Sequence, residues 1–136
     1  MIDFELTEQQ TDLRDRTVAF VRDKLIPLES TSEPVRVDDE FRRQLVALGH
    51  EAGLVAPHAP VEWGGLGLDH VSMTEVFIAA GYSLLGPLAL NCFAPDEGNM
   101  NLLAKVASDE QKERWLRRLV AGEIRSCFAM TEPAPG

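Results

Sequence analysis

The sequence has few cysteines, few histidines and no long apolar run. Its two cysteines, Cys92 and Cys127, form no C-x-x-C motif, so we expect reduced thiols and no disulfide framework. The histidines have no Cys, Asp or Glu partners at metal-ligand spacing, which predicts that there is no metal site. No stretch approaches the roughly 18 apolar residues of a membrane span, and the first residues lack the basic and apolar regions of a signal peptide. We therefore expect a cytoplasmic protein without a membrane span.

Basic residues are also scarce. Lys and Arg number 13 against 22 Asp and Glu among 136 residues, which gives a formal net charge of −9. The phosphates of DNA or RNA would repel a chain this acidic, so nucleic acid is excluded as a partner. With 45% hydrophobic residues the chain can build one domain with a modest core, and a disordered tail is excluded.

The common catalytic motifs are missing as well. There is no G-x-S-x-G sequence of the kind that presents a hydrolase serine. The glycines of residues 64–67 do not match G-x-G-x-x-G and follow no predicted strand, so a Rossmann-type phosphate site has no support. A tight turn that lets two helices approach each other explains these glycines better.

Apolar residues repeat at helical spacing along most of the chain and predict five to six helices. Thr7 and Gln10 form a capping box that begins the first helix, which we expect to end near Pro27. Ser108 and Gln111 form a second capping box, which begins the last helix. The helices between them are expected from Asp38 or Asp39 to the Gly49–Gly53 region, from Asp69 or Ser72 to Gly81, over Leu88–Phe93, and over Asn99–Ala107.

The residues from Ile124 to Thr131 follow a different pattern. Side chains alternate with a period of two, with Ile124, Ser126, Phe128 and Met130 on one face and Arg125, Cys127, Ala129 and Thr131 on the other, which predicts a β-strand that Pro133 then ends. A lone strand leaves its backbone hydrogen-bonding groups without partners, so a sheet has to be supplied by other residues or by another chain. We therefore divide the sequence into a helical domain, residues 1–123, and the beginning of a truncated second domain, residues 124–136.

Three segments taken together resemble a known family. They are residues 52–68, which end in a Gly-Gly-x-Gly-Leu loop, residues 91–100, and residues 111–133, which end in Met-Thr-Glu-Pro. In this order and spacing they closely resemble the amino-terminal helical domain and first middle-domain strand of the acyl-CoA dehydrogenases. The sequence APDEGNM looks most like the branch that handles long or unusual acyl chains. Alternatively, Pro95 and Gly98 only break a helix and Met100 fills a gap in the core.

The resemblance implies a flavoenzyme with a helical domain, a middle β-barrel domain and a carboxy-terminal helical bundle. In the family, FAD lies between the barrel and the bundle, and a glutamate of the bundle removes the α-proton of an acyl-CoA thioester. Hydride passes to the flavin, the product is a trans-2-enoyl-CoA, and an electron-transferring flavoprotein usually accepts the electrons. Members commonly form homo-oligomers. By this resemblance, the chain would supply the helical domain and one strand and would hold no catalytic residue.

The resemblance also assigns residues to sites. Phe128, Met130 and Thr131 match the strand positions that line the flavin. A strand edge offers alternating N–H and C=O groups to the flavin rim, and the Thr131 hydroxyl can donate to a carbonyl oxygen that gains negative charge on reduction. The acyl-chain pocket of the family maps to the segment from Ala94 to Leu103, which gives three candidate substrate-binding residues: Ala94, Met100 and Leu103.

Simpler explanations of these features stay open. Thr131 can be a plain strand-forming residue. The carboxylate of Asp96 would be costly against an alkyl tail unless it is paired or solvated, so we expect a turn or cap residue there. At the level of function, the alternative to an enzyme is a helical interaction module that has kept the shape of this domain and lost its chemistry.

Overall fold

The computed structural model describes residues 5–29 and 37–132. The described residues fold into six helical segments, which confirms the predicted mostly helical class. No helix among them is both long enough and apolar enough to cross a bilayer. The segments are α1 (Glu8–Phe20, a π turn at Val21–Leu25 and Ile26–Glu29), α2 (Asp39–Ala52), α3 (His70–Ala80), α4 (Gly86–Ala89), α5 (Asp96–Val106) and α6 (Asp109–Gln111, a π turn at Lys112–Leu116 and Arg117–Val120), with a 3-10 turn at Val61–Trp63.

The starts of α1, α3 and α6 are capped by side chains close in sequence. Thr7 Oγ1 accepts from the Gln10 N–H at 3.2 Å, and Gln10 Oε1 accepts from the Thr7 N–H at 3.0 Å. Ser108 and Gln111 make the same reciprocal pair at 3.3 and 2.9 Å. Asp69, rather than Ser72, caps α3 through its carboxylate. Both predicted capping boxes are therefore present.

Three helices differ from the predictions, and each difference involves a proline. The helix expected over Leu88–Phe93 covers Gly86–Ala89 instead, because Pro87 suits a first helical turn and Asn91, at a φ of 50°, does not continue a helix. Helix α1 runs two residues past Pro27, to Glu29, and the wider π turn at residues 21–25 ends two residues before the proline. Helix α5 starts at Asp96 instead of Asn99, with Pro95 at its N-cap. The missing N–H of proline costs nothing there, because the first N–H groups of a helix have no partner within it.

The core consists of two apolar clusters. The first lies among helices α1 to α4, and the second joins the segment after α2 to α5 and α6. Met100 belongs to the second cluster and is fully buried. The buried members of that cluster are Val55, Ala56, Ala59, Met100, Leu116, Leu119 and Val120.

Two glycines allow backbones to approach closely. Gly49 lies within α2 and faces the carbonyl oxygen of Ala89 in α4, where a Cβ atom would collide with that oxygen. Gly65 faces the carbonyl group of Ala59 in the same way. Gly65 thus lies in a tight turn whose backbone leaves no room for a side chain.

No β-strand occurs within residues 5–29 and 37–132. Residues 125–132 are neither helical nor paired in a ladder, so the strand predicted over residues 124–131 is not formed by this chain on its own. The physical reason is that a strand is defined by hydrogen bonds to a neighbour, and the described residues supply none. The predicted turn of residues 133–136 lies outside the described residues.

His58 is a half-buried histidine whose two ring nitrogens make no polar contacts. Both of its ring nitrogens are inaccessible, and neither has a hydrogen-bond partner among the described residues. The ring meets the Phe77 ring edge-on with centroids 6.2 Å apart. Burial lowers the pKa of His58 to about 4, because the charged imidazolium would lose its hydration.

This histidine should make folding sensitive to acid. The pKa of His58 in the folded protein lies below the unfolded value of 6.5, so folding favours the neutral imidazole. The contribution of His58 to the free energy of unfolding is therefore complete above pH 6.5 and is lost as pH falls from 6.5 towards 4. Partial solvation reduces the effect, and we expect a loss of roughly 2 kcal/mol between pH 7 and 4.5. Urea unfolding at the two pH values measures it. His58→Leu should remove the loss and His70→Gln, at an exposed position, should keep it; equal losses in all three proteins would contradict this account.

Candidate functional site

The carboxyl end of α6 is held by side chains from distant parts of the chain. Asn91 Nδ2 donates to two carbonyl groups of residues 119–122, at 2.8 and 3.1 Å. The buried Arg42 donates through Nη1 to the Gly122 carbonyl at 2.8 Å, and His50 Nε2 lies 3.1 Å from a further carbonyl oxygen of this turn. Donors at this position satisfy carbonyl groups that a helix end leaves free. The direction in which the chain leaves α6 is thereby fixed.

Four polar residues then bind the departing chain to α5. Asp96 is only 3% exposed, and its carboxylate accepts from Arg125 Nε at 2.7 Å, from the Ser126 N–H at 2.7 Å and from Ser126 Oγ at 2.6 Å. Asn99 Nδ2 donates to Ser126 Oγ at 2.8 Å. We call Asp96, Asn99, Arg125 and Ser126 the Asp96 anchor. It joins the first turns of α5 to the residues just before the predicted flavin-facing positions.

The three predicted flavin-facing residues lie beyond this anchor and point into solvent. Phe128 is 58% exposed, Met130 is 83% exposed, and Thr131 is also exposed. The ring of Phe128 passes over Gly98 of α5, where a Cβ atom would lie 3.7 Å from Phe128 Cζ. Phe128 and Met130 thus lie on the accessible surface of the described residues, as Leu84 also does at 88% exposure.

The three predicted acyl-pocket residues do not share one surface. Ala94 is exposed, Leu103 is half-buried, and Met100 is fully buried in the second core cluster. The packing of Met100 matches the alternative that it fills the core. Asp96 begins α5, but its carboxylate binds Arg125 and Ser126 instead of capping its own helix.

The chemistry available in the described part of the chain is limited. Burial, with a smaller effect from Glu97, raises the pKa of the Cys92 thiol to about 12, so this thiol stays protonated and a poor nucleophile at neutral pH. Residues 5–29 and 37–132 contain no group of three His, Cys, Asp or Glu side chains that could hold a metal ion. Among the described residues, the Cys92 thiol is therefore not an activated nucleophile.

Sequence reasoning missed Arg42, although a signal for it exists. Arg42 lies on the same face of α2 as Leu45, Val46 and Gly49, all of which are buried. A charged residue in an apolar helical stripe has to find an acceptor inside the protein. The acceptors are Asp39, at 2.9 Å, and the Gly122 carbonyl, and only the first could be found from sequence spacing.

Comparison with known proteins agrees with the helical architecture. The profile of the family described as "Acyl-CoA dehydrogenase, N-terminal domain" matches residues 7–123. The chain is 32% identical to the Mycobacterium tuberculosis protein named as acyl-CoA dehydrogenase FadE2, over 98% of this chain and 34% of that protein. It is 35% identical to mouse acyl-CoA dehydrogenase family member 10, over 89% of this chain and 12% of that protein.

A solved structure shows the same fold. The structure of a Mycobacterium abscessus protein described as an acyl-CoA dehydrogenase superposes with a TM-score of 0.82 at 32% identity, covering 98% of this chain and 36% of that one. The chain belongs to the acyl-CoA dehydrogenase family and corresponds to its amino-terminal domain. It spans about a third of the length of the two mycobacterial relatives.

Proposed function

We propose that the chain is the amino-terminal part of an FAD-dependent acyl-CoA dehydrogenase, which oxidises acyl-CoA thioesters to trans-2-enoyl-CoA. The observation that carries the proposal is the exposed segment of residues 127–132, held at its base by the Asp96 anchor and paired with no strand of the described chain. Membership of the acyl-CoA dehydrogenase family supports it. The partners proposed with this activity are acyl-CoA, an electron-transferring flavoprotein and further copies of the protein, in the cytoplasm.

The segment suits a flavin in shape and chemistry. Phe128 and Met130 offer apolar surface, and the unpaired backbone around them offers N–H and C=O groups to a polar ring edge. Thr131 adds a hydroxyl donor for an oxygen that becomes more negative on reduction. When bound, FAD would accept the hydride from the acyl chain, and the role of these residues is to hold its ring and stabilise its charge.

The acyl wall is proposed along α5 and the residues just before it. Ala94 and Leu103 would contact the alkyl chain, and the fully buried Met100 would support them from the core. Resemblance of the APDEGNM sequence to the corresponding branch of the family supports a long or unusual acyl chain.

The catalytic base is proposed to lie outside this chain, on the carboxy-terminal bundle. Glu132 is the carboxylate nearest in sequence to Thr131, but alternation along an extended segment sends its side chain to the opposite face. A general base has to reach the proton that it removes, and Glu132 would face away from it.

Thr131→Val should lower the flavin reduction potential in a full-length protein that carries this chain. The substitution keeps the shape and removes the donor, so the reduced flavin should lose about 1.5–3 kcal/mol of stabilisation. For two electrons this corresponds to about 30–65 mV. Thr131→Ser keeps a hydroxyl and should retain the wild-type potential. A redox titration with reference dyes measures all three proteins, and an unchanged potential in Thr131→Val would show that the hydroxyl does not touch the ring.

The same preparations separate the enzyme from its alternative. The full-length wild-type protein is expected to retain FAD on gel filtration and to be bleached by an acyl-CoA under anaerobic conditions. Failure to retain FAD would favour the helical interaction module. FAD retention without bleaching by acyl-CoAs of any chain length would contradict the proposed substrate class.

A further inference from the structure

We infer that Asp96 is a positioning residue, which fixes the flavin-facing segment against the helix that carries the acyl wall. The inference rests on the proposed function, because it assigns Asp96 a role at that site. Asp96 is the first residue of α5, and α5 bears Leu103. Its carboxylate binds Ser126, which lies two residues before Phe128. One buried side chain thus connects the two halves of the proposed site.

The hydrogen bonds of the Asp96 anchor hold Ser126 in one position and one orientation. Ser126 is bound to the same carboxylate oxygen, Asp96 Oδ1, through both its N–H and its hydroxyl, at 2.7 and 2.6 Å. Its hydroxyl oxygen also accepts from Asn99 Nδ2. Two bonds to one oxygen and a third from the next turn of α5 define both where Ser126 lies and how its backbone is rotated. The side chains that follow inherit that orientation.

Arg125 contributes charge more than geometry. Its side chain is 41% exposed, whereas the Asp96 side chain that it contacts is almost completely buried. A buried carboxylate needs charge-assisted donors, and Arg125 supplies one from the solvent side. We therefore expect the loss of Ser126 contacts to disturb the segment more than the loss of the Arg125 contact.

The apolar core and the Asp96 anchor are built from different residues. Met100 and the other buried members of the second cluster lie on α5, on α6 and in the segment after α2. The anchor is polar and joins the start of α5 to the chain that leaves α6, so the apolar contacts between these helices are made by other residues. This separation makes a positioning role testable in a folded protein.

The test uses the full-length protein with Ser126→Ala, Asp96→Asn and Asp96→Ala. The readouts are the FAD dissociation constant, the flavin reduction potential and the melting temperature without FAD. We expect FAD binding to weaken least in Ser126→Ala, more in Asp96→Asn and most, at least tenfold, in Asp96→Ala. The flavin reduction potential should shift in all three variants. Glu113→Ala, which removes an exposed carboxylate–arginine pair on α6, is the matched control and should change neither FAD binding nor potential.

The outcomes separate this inference from the proposed function. If the wild-type protein binds FAD and the three variants match its dissociation constant and potential while melting earlier, Asp96 has only a structural role and the inference is wrong. If the wild-type protein binds no FAD, the proposed function fails and the inference fails with it. In Ser126→Ala the buried Asp96 carboxylate keeps its bonds to Arg125 and to the backbone N–H of residue 126. We therefore expect this variant to fold, and it decides the question even if Asp96→Ala does not fold.

Discussion

Met100→Ala is expected to lower the free energy of unfolding by about 3 kcal/mol. Met100 is fully buried, with packing partners from α6 and from the segment after α2. Removing its thioether and methyl groups leaves a cavity that helices held on both sides cannot close. Urea unfolding followed by circular dichroism measures the loss directly.

Leu103→Ala is the matched comparison, because Leu103 lies on the same helix and is half-buried. Its loss of stability should be smaller, about 1–2 kcal/mol, and in the full-length protein it should change the preference for acyl-chain length. The proposed support role of Met100 would be contradicted if Met100→Ala cost under 1 kcal/mol and changed the chain-length preference more than Leu103→Ala does.

Gly49→Ala is expected to destabilise the chain by a similar amount, about 3 kcal/mol. The new methyl group would collide with the Ala89 carbonyl oxygen and lie 3.0 Å from Val55 Cγ2. Since the obstacle is backbone, α2 and α4 would have to move apart. This cost exceeds the gain of about 1 kcal/mol that alanine brings to a helix interior. Thermal and urea unfolding give the value.

Gly98→Ala tests the same substitution in a helix where space exists. Its methyl group would meet only Phe128 Cζ, at an ordinary 3.7 Å, so we expect a gain of up to about 1 kcal/mol. The two substitutions should therefore have opposite signs. If both stabilise the chain, α2 and α4 are not as close as the structure shows.

Features determined by neighbours in sequence could be predicted. The capping boxes at Thr7 and Ser108 need only residues three positions apart, and both are present. The mostly helical class follows from apolar spacing in the same way. The position at which α1 ends could not be predicted from Pro27. Whether a helix continues past a proline depends on the turn before it, and the π turn at residues 21–25 could not be predicted from apolar periodicity.

The site depends on partners that are distant in sequence. The predicted positions Phe128, Met130 and Thr131 came from resemblance to a family, and their role remains a prediction. The bonds that hold their segment link residues 29 and 30 positions apart, from Asp96 to Arg125 and Ser126. Neither a cap motif nor a periodic pattern relates residues at such a distance, so the sequence identified Asp96 as costly in a pocket without showing what binds it.

The contact between Arg42 and Gly122 has a consequence for the order of folding during synthesis. Its two partners are separated by 80 residues, so α2 leaves the ribosome long before its acceptor exists. Until then the guanidinium has to remain hydrated, because burying it without the Gly122 carbonyl would leave a charged donor only partly satisfied. Arg42 can therefore take up its final contact only when the turn after α6 arrives, although Gly49 on the same face can already meet Ala89 of α4. Nascent chains up to that point should expose Arg42 and the neighbouring Val46, which packs against Gly122, to chaperones.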